Sequence, residues 1–414
     1  MKYFFLLLAL IMTAVGCDVD DCEQTVRYVK ATGIYADLES VRVDDLVGAP
    51  RDIESPGKIN VSSELLIIGD RGTGIHIINN TDPENPQPLH FLEVPGNHQL
   101  YVDGDYIYAN AYYDMIKIDI SDINNIRIVD RIEEVFTINH HNFENHALIG
   151  FERTEVEETL SCDRRIDEGQ IFFFDDSGVL LEETAIPTSF VSNGTTVGTA
   201  NRMAIVDNDL FVINLRDIYA FDVSGDNLDI HPVYGNQSYL GWNMETIYAR
   251  GEFLYTASQT EMAVHRLTGT EIMTIGSYFH ATACDPVLPT DEGIAYITLR
   301  SGDECPGDVN SLSVVDINNF NNIFLLQEIE MESPFGMYLV DDRLFVGEGD
   351  NGLRIFDASQ RDALTEIDHF SSLAAFDVIG HPTRADILLL ASESGLAQYE
   401  IGSQGFEELS QILF

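Results

Sequence analysis

Between Ser311 and Asp316 the chain reads SLSVVD, and between Gly352 and Asp357 it reads GLRIFD. Both runs carry apolar side chains at nearly consecutive positions and stop on an aspartate, which is the pattern of a short strand covered on both faces. Six further runs share the form: GIHIIN (Gly74 to Asn79), DMIKID (Asp114 to Asp119), QIFFFD (Gln170 to Asp175), DIYAFD (Asp217 to Asp222), EMAVHR (Glu261 to Arg266) and GLAQYE (Gly395 to Glu400). Their ends recur every 40 to 56 residues. A period of this size belongs to propellers and related repeat arrays.

Working outward from each run, a second β-type run precedes it, such as LLIIG from Leu65, YIYANAY from Tyr106, DLFVINL from Asp209 and RLFVGEG from Arg343. A third follows it, as in LHFLEV from Leu89 and LLQEIEM from Leu325, and a weaker one comes first, as in INVS, HQLYV, NRMAIV, ETIYA, GMYLV and FDVIG. Each unit thus offers four strands, separated by turn pairs such as Asp103-Gly104 and Asn208-Asp209. No mature segment keeps a helical period. The expected fold is all-β: a single β-propeller of eight four-stranded blades, with seven as the alternative, a closure that leaves only short protected edges. The propeller is expected over residues 57–414. Residues 28–56 remain as an extra segment that adds a strand to the last blade or lies across one face.

The start of the chain sets the compartment. Met1-Lys2, an apolar run from Tyr3 to Val15 and then Gly16-Cys17 form a signal peptide over residues 1–16, shorter than the ~20 residues of a membrane span. Ala14-Val15-Gly16-Cys17 resembles the bacterial lipobox, with Ala14 where Leu is usual, so Cys17 is expected to carry the lipid. Residues 17–56 then form a lipidated, acidic tether. Asp18, Asp20, Asp21 and Glu23 resemble the surface-display signal of Bacteroidota lipoproteins, or serve as a solvated tether only. Either way the body is held at the outer membrane, and at the cell surface if displayed, by its acyl chains alone.

With 45% apolar residues the chain has enough to bury a core, and 69 acidic against 22 basic residues give a formal charge of −47. Such a field repels phosphate backbones, which excludes nucleic acid as a partner. It favours solubility, cations or basic partners.

The units resemble the LVIVD repeat family of bacterial envelope β-propellers, whose characteristic strand is similar to SLSVVDIN and GLRIFDAS here. Further matches are GKINV near Gly57, GIHIINNTDPENP from Gly74, METIY from Met244, and HATACDPV with AYITLRSGDEC between His280 and Cys305. Arg266 departs from the pattern. The resemblance implies a propeller at the envelope and brings no established catalytic activity.

The Asp that ends most units can accept the backbone N–H two residues on and fix the following turn. Signatures of hydrolases, zinc proteases, phosphate loops and dinucleotide sites are absent from the sequence. The acidic loops Asp222 to Asp229 and Gly347 to Asp350 lack the spacing of a calcium loop. His98, His140, His141 and His280 lie near the beginnings of innermost strands, with Asn201, Arg202, Asn243 and Glu245 at comparable places. Inner-strand ends converge on one channel mouth, so His98, His140, Arg202, Glu245 and His280 are the candidate ligand-binding set. The same set can also simply satisfy a polar, water-filled channel.

Two functions follow. The leading one is a non-catalytic binding or scaffolding module, without a required cofactor and monomeric, that meets a protein, glycan or matrix partner at the envelope. The alternative is a hydrolase or lyase with His280 or His140 as base and a divalent metal as Lewis acid. Export permits disulfides. Beside Cys17 four thiols remain, and Cys284 with Cys305, both in the sixth unit, is the expected bond, leaving Cys22 with Cys162; a metal site of both thiolates with His280 is the rival.

Overall fold

The computed structural model describes residues 23–136, 145–161, 171–174, 202–213, 217–238, 244–281, 286–302, 307–402 and 405–414. It divides into two compact units, one of Met1–Tyr35 with Leu148–Ile186 and the other of Ala36–Ala147 with Pro187–Phe414. Nearly all regular structure is β. Among the described residues the one α-helix is Leu38–Val41, capped by the Asp37 carboxylate, which accepts from the Glu39 amide at 3.0 Å.

Seven sheets of the larger unit repeat one antiparallel meander. In chain order their innermost strands are Pro56–Val61, Leu100–Asp103, Met203–Val206, Met244–Arg250, Val287–Pro289, Met337–Val340 and Asp377–Gly380, here called the inner strands of blades 1 to 7. The third strand of each meander is one of the apolar runs read from the sequence, for example Gly74–Asn79 in blade 1 and Ser311–Asp316 in blade 5. These strands are buried almost throughout because a neighbouring sheet covers each face.

Seven apolar clusters sit between the sheets, one per junction. Ile75 and Ile77 meet Ile107 and Ile116 between blades 1 and 2, and Tyr108 and Met115 meet Leu210 and Phe221 between blades 2 and 3. The series continues between each following pair. It closes where Ile59, Leu66 and Ile68 of blade 1 pack on Ile387, Leu389 and Leu396 of blade 7. The larger unit is therefore a closed ring of seven blades, a β-propeller.

The described residues form eight sheets, as many as the repeats read from the sequence; seven are these blades, and strands of the third repeat belong to the eighth. Its strands His146–Ser161 and Ile171–Phe174 flank Glu23–Asp37 in a three-stranded sheet, with Val29 to Thr32 running parallel to Ile171 to Phe174. The physical reason lies in its first strand. HALIGFERTEVEETLS carries five charged side chains, and most described residues of its second half are exposed. Such a strand cannot be covered on both faces. Instead Arg27 pairs with Glu157 at 2.9 Å, and the Tyr28 hydroxyl donates to Glu158. In the ring, blade 2 joins blade 3 directly: buried Lys117 donates from Nζ to the Gly225 carbonyl at 2.7 Å, and the Leu228 amide donates to Asp130.

The segment before residue 57 adds its strand to the first blade and not to the last. Val47–Gly48 pairs with Phe91 and Leu92 on the outer strand of blade 1, so it extends the first blade; the last blade draws four strands of its own from Asp377 to Leu413. Leu46 is buried in the adjoining core, which makes residues from Ala36 onward part of the larger unit.

The turn aspartates act as their chemistry predicts. Oδ1 of Asn79, Asp119, Asp222, Asp316 and Asp357 accepts the amide of Thr81, Ser121, Ser224, Asn318 and Ser359, all at 2.8–3.0 Å. Hydrogen bonds from the Ser121 hydroxyl and amide, with Arg127, hold Asp119 down to about 2.

Candidate functional site

One rim of the ring collects the starts of the inner strands and the ends of the second strands, because the two run antiparallel in every blade. Lys58 is the third residue of the blade 1 inner strand. Behind it, where the second strand ends, stands Arg71, whose Cγ lies so near Gly57 that a Cβ there would be only 3.0 Å away. Lys58 is 5% exposed, and its Nζ has no hydrogen-bond partner. Burial pushes the amine down to about 7, against the attraction of the Asp377 carboxylate from blade 7.

His98 precedes the blade 2 inner strand in a loop fixed by two asparagines. The His98 and Gln99 amides both donate to Asn110 Oδ1, at 2.9 and 2.8 Å, while Asn97 Nδ2 donates to the carbonyls of Gln99 and Asn110. Gly96, at φ 73°, lies against Tyr112 so closely that no side chain fits. Burial, with the positive charge of Arg71 nearby, depresses His98 to about 4, so its imidazole is neutral near pH 7.

Arg202 precedes the blade 3 inner strand, and Glu245 is the second residue of the blade 4 inner strand. Burial raises the Glu245 carboxyl above its usual range, opposed by a hydrogen bond with Gln259 and by the fields of Arg202 and Arg300. Burial likewise lowers Arg202, opposed by Glu245. Arg300, at the end of the second strand of blade 5, stacks its guanidinium 4.2 Å from the Phe335 ring centroid, and Phe335 in turn meets Phe376 edge-on. Three tyrosines lie farther along the inner strands: Tyr101, Tyr248 and Tyr338 of blades 2, 4 and 6. Burial raises all three phenols, and the Tyr248 hydroxyl lies within electrostatic reach of both others.

Of the expected set, the structure places His98, Arg202 and Glu245 on this rim. His280 does not start an inner strand: it follows the outermost strand of blade 4, Ile272–Phe279, where its amide donates to the Thr260 carbonyl at 3.1 Å and its Nδ1 donates to the Ala281 carbonyl at 2.8 Å. The eight-residue outer strand carries it past the position that spacing alone implies. His140, His141, Asn201 and Asn243 lie outside the described residues, as do Cys17, Cys22, Cys162, Cys284 and Cys305. Among the described residues no three His, Cys, Asp or Glu side chains gather in a manner that holds a metal.

Four rim residues were not singled out by sequence: Lys58, Arg71, Arg300 and Asp377. Lys58 and Asp377 sit within the runs GKINV and FDVIG, at the inner-strand position that Glu245 occupies in METIY, and that shared offset was the available signal. Elsewhere buried carboxylates are structural. Asp114 accepts from Arg42 and Arg131, Asp70 from His76 and two backbone amides, and Glu348 from Arg354 and the Glu332 amide.

Neither a family model nor a curated protein matches the chain. Solved structures do. A functionally unknown protein from Desulfotomaculum acetoxidans DSM 771 is similar at 10% identity and a TM-score of 0.53, over 84% of this chain and 95% of that one. The computationally designed Ika8 protein gives 11% and 0.51 over 89% and 90%, and the RRP9 WD40 repeats give 10% and 0.50 over 84% and 92%. At such identities the likeness is one of fold, and it agrees with the β-propeller built from the sheets above.

Proposed function

We propose that this chain is a non-catalytic binding module of the bacterial envelope, an LVIVD-type propeller that is exported, lipidated on Cys17 and held at the outer membrane, with its binding site on the rim described above. The observation that carries the reading is the convergence of Lys58, Arg71, His98, Arg202, Glu245 and Arg300, contributed by five of the seven blades, at one end of the inner strands. Burying charge in this way is costly to a fold and is retained where charge recognises something. The Asx turns that follow the third strands of five blades, on the opposite side, have their hydrogen bonds made locally, so they need no partner.

Affinity capture from intact cells with the full chain tests the binding reading. A partner retained by wild type and lost with Arg202→Met and Glu245→Gln supports it. A partner kept by both variants but lost on changing the blades' outer strands overturns it. The anchor is tested separately by cell fractionation: Cys17→Ala is expected to leave the membrane fraction, and equal retention of both forms defeats the proposal. A Cys284–Cys305 bond, which export permits, is read by peptide mapping without reduction.

A further inference from the structure

We infer that the rim takes a small ligand through an oxyanion, a carboxylate or a phosphate group, seated on Lys58; this rests on the reading of the rim as a binding site. The first argument is charge. The chain has three acidic residues for each basic one, 69 against 22, yet Lys58, Arg71, Arg202 and Arg300 meet on the described rim with Glu245 and Asp377, while the carboxylates at two second-strand ends, Asp70 and Glu348, already hold Arg51 and Arg354. Four cations thus face two carboxylates not already taken up by other arginines, the reverse of the balance in the whole chain. Inside a protein that is strongly anionic overall, such a patch draws in small anions once they are near, while the surrounding field turns away large polyanions.

The second argument is hydrogen bonding. Lys58 Nζ is buried with three donors and no acceptor. Asn60 lies two residues along the same strand, just past the register shift between Pro56 and Ile59. Its Nδ2 is likewise buried and without an acceptor. The blade 1 inner strand thus carries two buried, unused donors two residues apart. On the adjoining blade the Gln99 side-chain oxygen is also buried and unused, an acceptor for a ligand hydroxyl. Buried donors of this kind are normally satisfied, and an unsatisfied one costs more than a made hydrogen bond returns. A charge-assisted bond from Lys58 to an oxyanion removes that cost and is among the strong polar contacts. The Asp377 carboxylate nearby accepts its own strand's amide, from Val378, and its charge helps keep the amine protonated for the ligand.

The experiment uses the full chain purified without phosphate or citrate, with inorganic phosphate and citrate as probes and sodium chloride at matched ionic strength as control. Saturable binding by calorimetry, with a raised melting temperature that chloride does not reproduce, is expected for at least one probe. Binding of phosphate alone assigns a phosphate group, and binding of citrate alone assigns a carboxylate. Lys58→Gln is expected to weaken binding about tenfold or more, and Lys58→Arg to restore part of it. Should Lys58→Gln fail to fold, Asn60→Ala is the second variant, with a smaller loss expected. No saturable binding of either probe to folded wild type, or affinity unchanged in Lys58→Gln or Asn60→Ala, overturns the inference. If a captured partner still depends on Arg202 and Glu245 while neither anion binds, the oxyanion inference alone falls; if capture is indifferent to the rim, the broader reading falls with it.

Discussion

Asn80 and Gln398, 318 residues apart in sequence, exchange a pair of amide hydrogen bonds inside the molecule: Asn80 Nδ2 donates to Gln398 Oε1 at 3.0 Å, and Gln398 Nε2 donates to Asn80 Oδ1 at 2.7 Å. Both side chains are essentially fully buried. They join the first blade to the last, beside Ser410, whose hydroxyl donates to the Pro83 carbonyl at 2.6 Å. The ring is thus closed by packing and a polar clasp between complete blades, with no strand exchanged. Removing one amide strands the other in a dry site. Asn80→Ala and Gln398→Leu should each cost about 1–3 kcal/mol by urea unfolding, and the double variant should cost clearly less than their sum. Strict additivity would show that the two amides do not act together.

Asp114 should prove a large single contributor to the N-terminal packing. Its carboxylate, with a side chain 2% exposed, takes Arg42 Nε at 2.9 Å, Arg131 Nη1 at 2.8 Å and the Glu134 amide at 2.9 Å. Burial alone would raise its pKa, but these donors outweigh burial and hold it below the ordinary range. A group depressed in the folded state contributes stability that is present above its unfolded value, near pH 4, and is lost as pH falls through the folded value. Asp114→Asn takes the carboxylate from Arg131 and leaves Arg42 with only its exposed partners Glu39 and Glu133, so it should cost up to about 3–5 kcal/mol at pH 7. It should also lose less further stability than wild type between pH 5 and pH 3, measured by denaturant unfolding at each pH.

His265 gives a second pH dependence, in a higher window. It is wholly buried between two threonines, Nε2 against Thr256 Oγ1 at 2.8 Å and Nδ1 against Thr274 Oγ1 at 3.0 Å, and burial lowers it to about 4. The unfolded imidazole takes its proton near pH 6.5 while the folded one stays neutral. The unfolded state therefore binds more protons between these values, and stability falls as pH drops from about 6.5 towards 4, by up to about 3 kcal/mol for this group. His265→Gln should flatten that part of the stability profile even if it lowers the plateau. An unchanged slope would mean that the imidazole is protonated in the fold.

The repeat was legible because its third strands are covered on both faces: SLSVVD and GLRIFD announce themselves by apolar residues at nearly every position. QIFFFD carries the same signal, yet its partner strand HALIGFERTEVEETLS has charge where a blade needs apolar surface, and the pair goes to a different sheet. An apolar run reports burial without reporting on what. The rim was partly legible for the same reason that Lys58 was missed. A charged residue that opens a short strand, as Lys58 does in GKINV, reads as surface until the register shows that the starts of the seven inner strands meet. Arg71 and Arg300 required still more: they end second strands, and only antiparallel pairing carries those ends to the inner-strand starts.

The tyrosine layer offers a test of how tightly adjoining blades are fitted. Gly380, on the inner strand of blade 7, lies against the phenol of Tyr338 from blade 6 so closely that a Cβ would overlap the ring and its hydroxyl. The Tyr338 ring also packs on the cluster of Phe345, Val378 and Leu390 between the two blades. An added methyl must push the ring away or separate the inner strands, because close-packed interiors have little slack. Gly380→Ala should therefore destabilise the chain by about 1–3 kcal/mol. If the ring is the cause, Tyr338→Ala in the same chain should recover part of that loss, so the double variant should fall short of the summed single effects by about 0.5 kcal/mol or more. Near-ultraviolet circular dichroism of Gly380→Ala should change in the tyrosine region, since the ring that moves is one of the buried three. A neutral Gly380→Ala, or one whose cost is untouched by removing Tyr338, would place the inner strands of blades 6 and 7 farther apart than the structure has them.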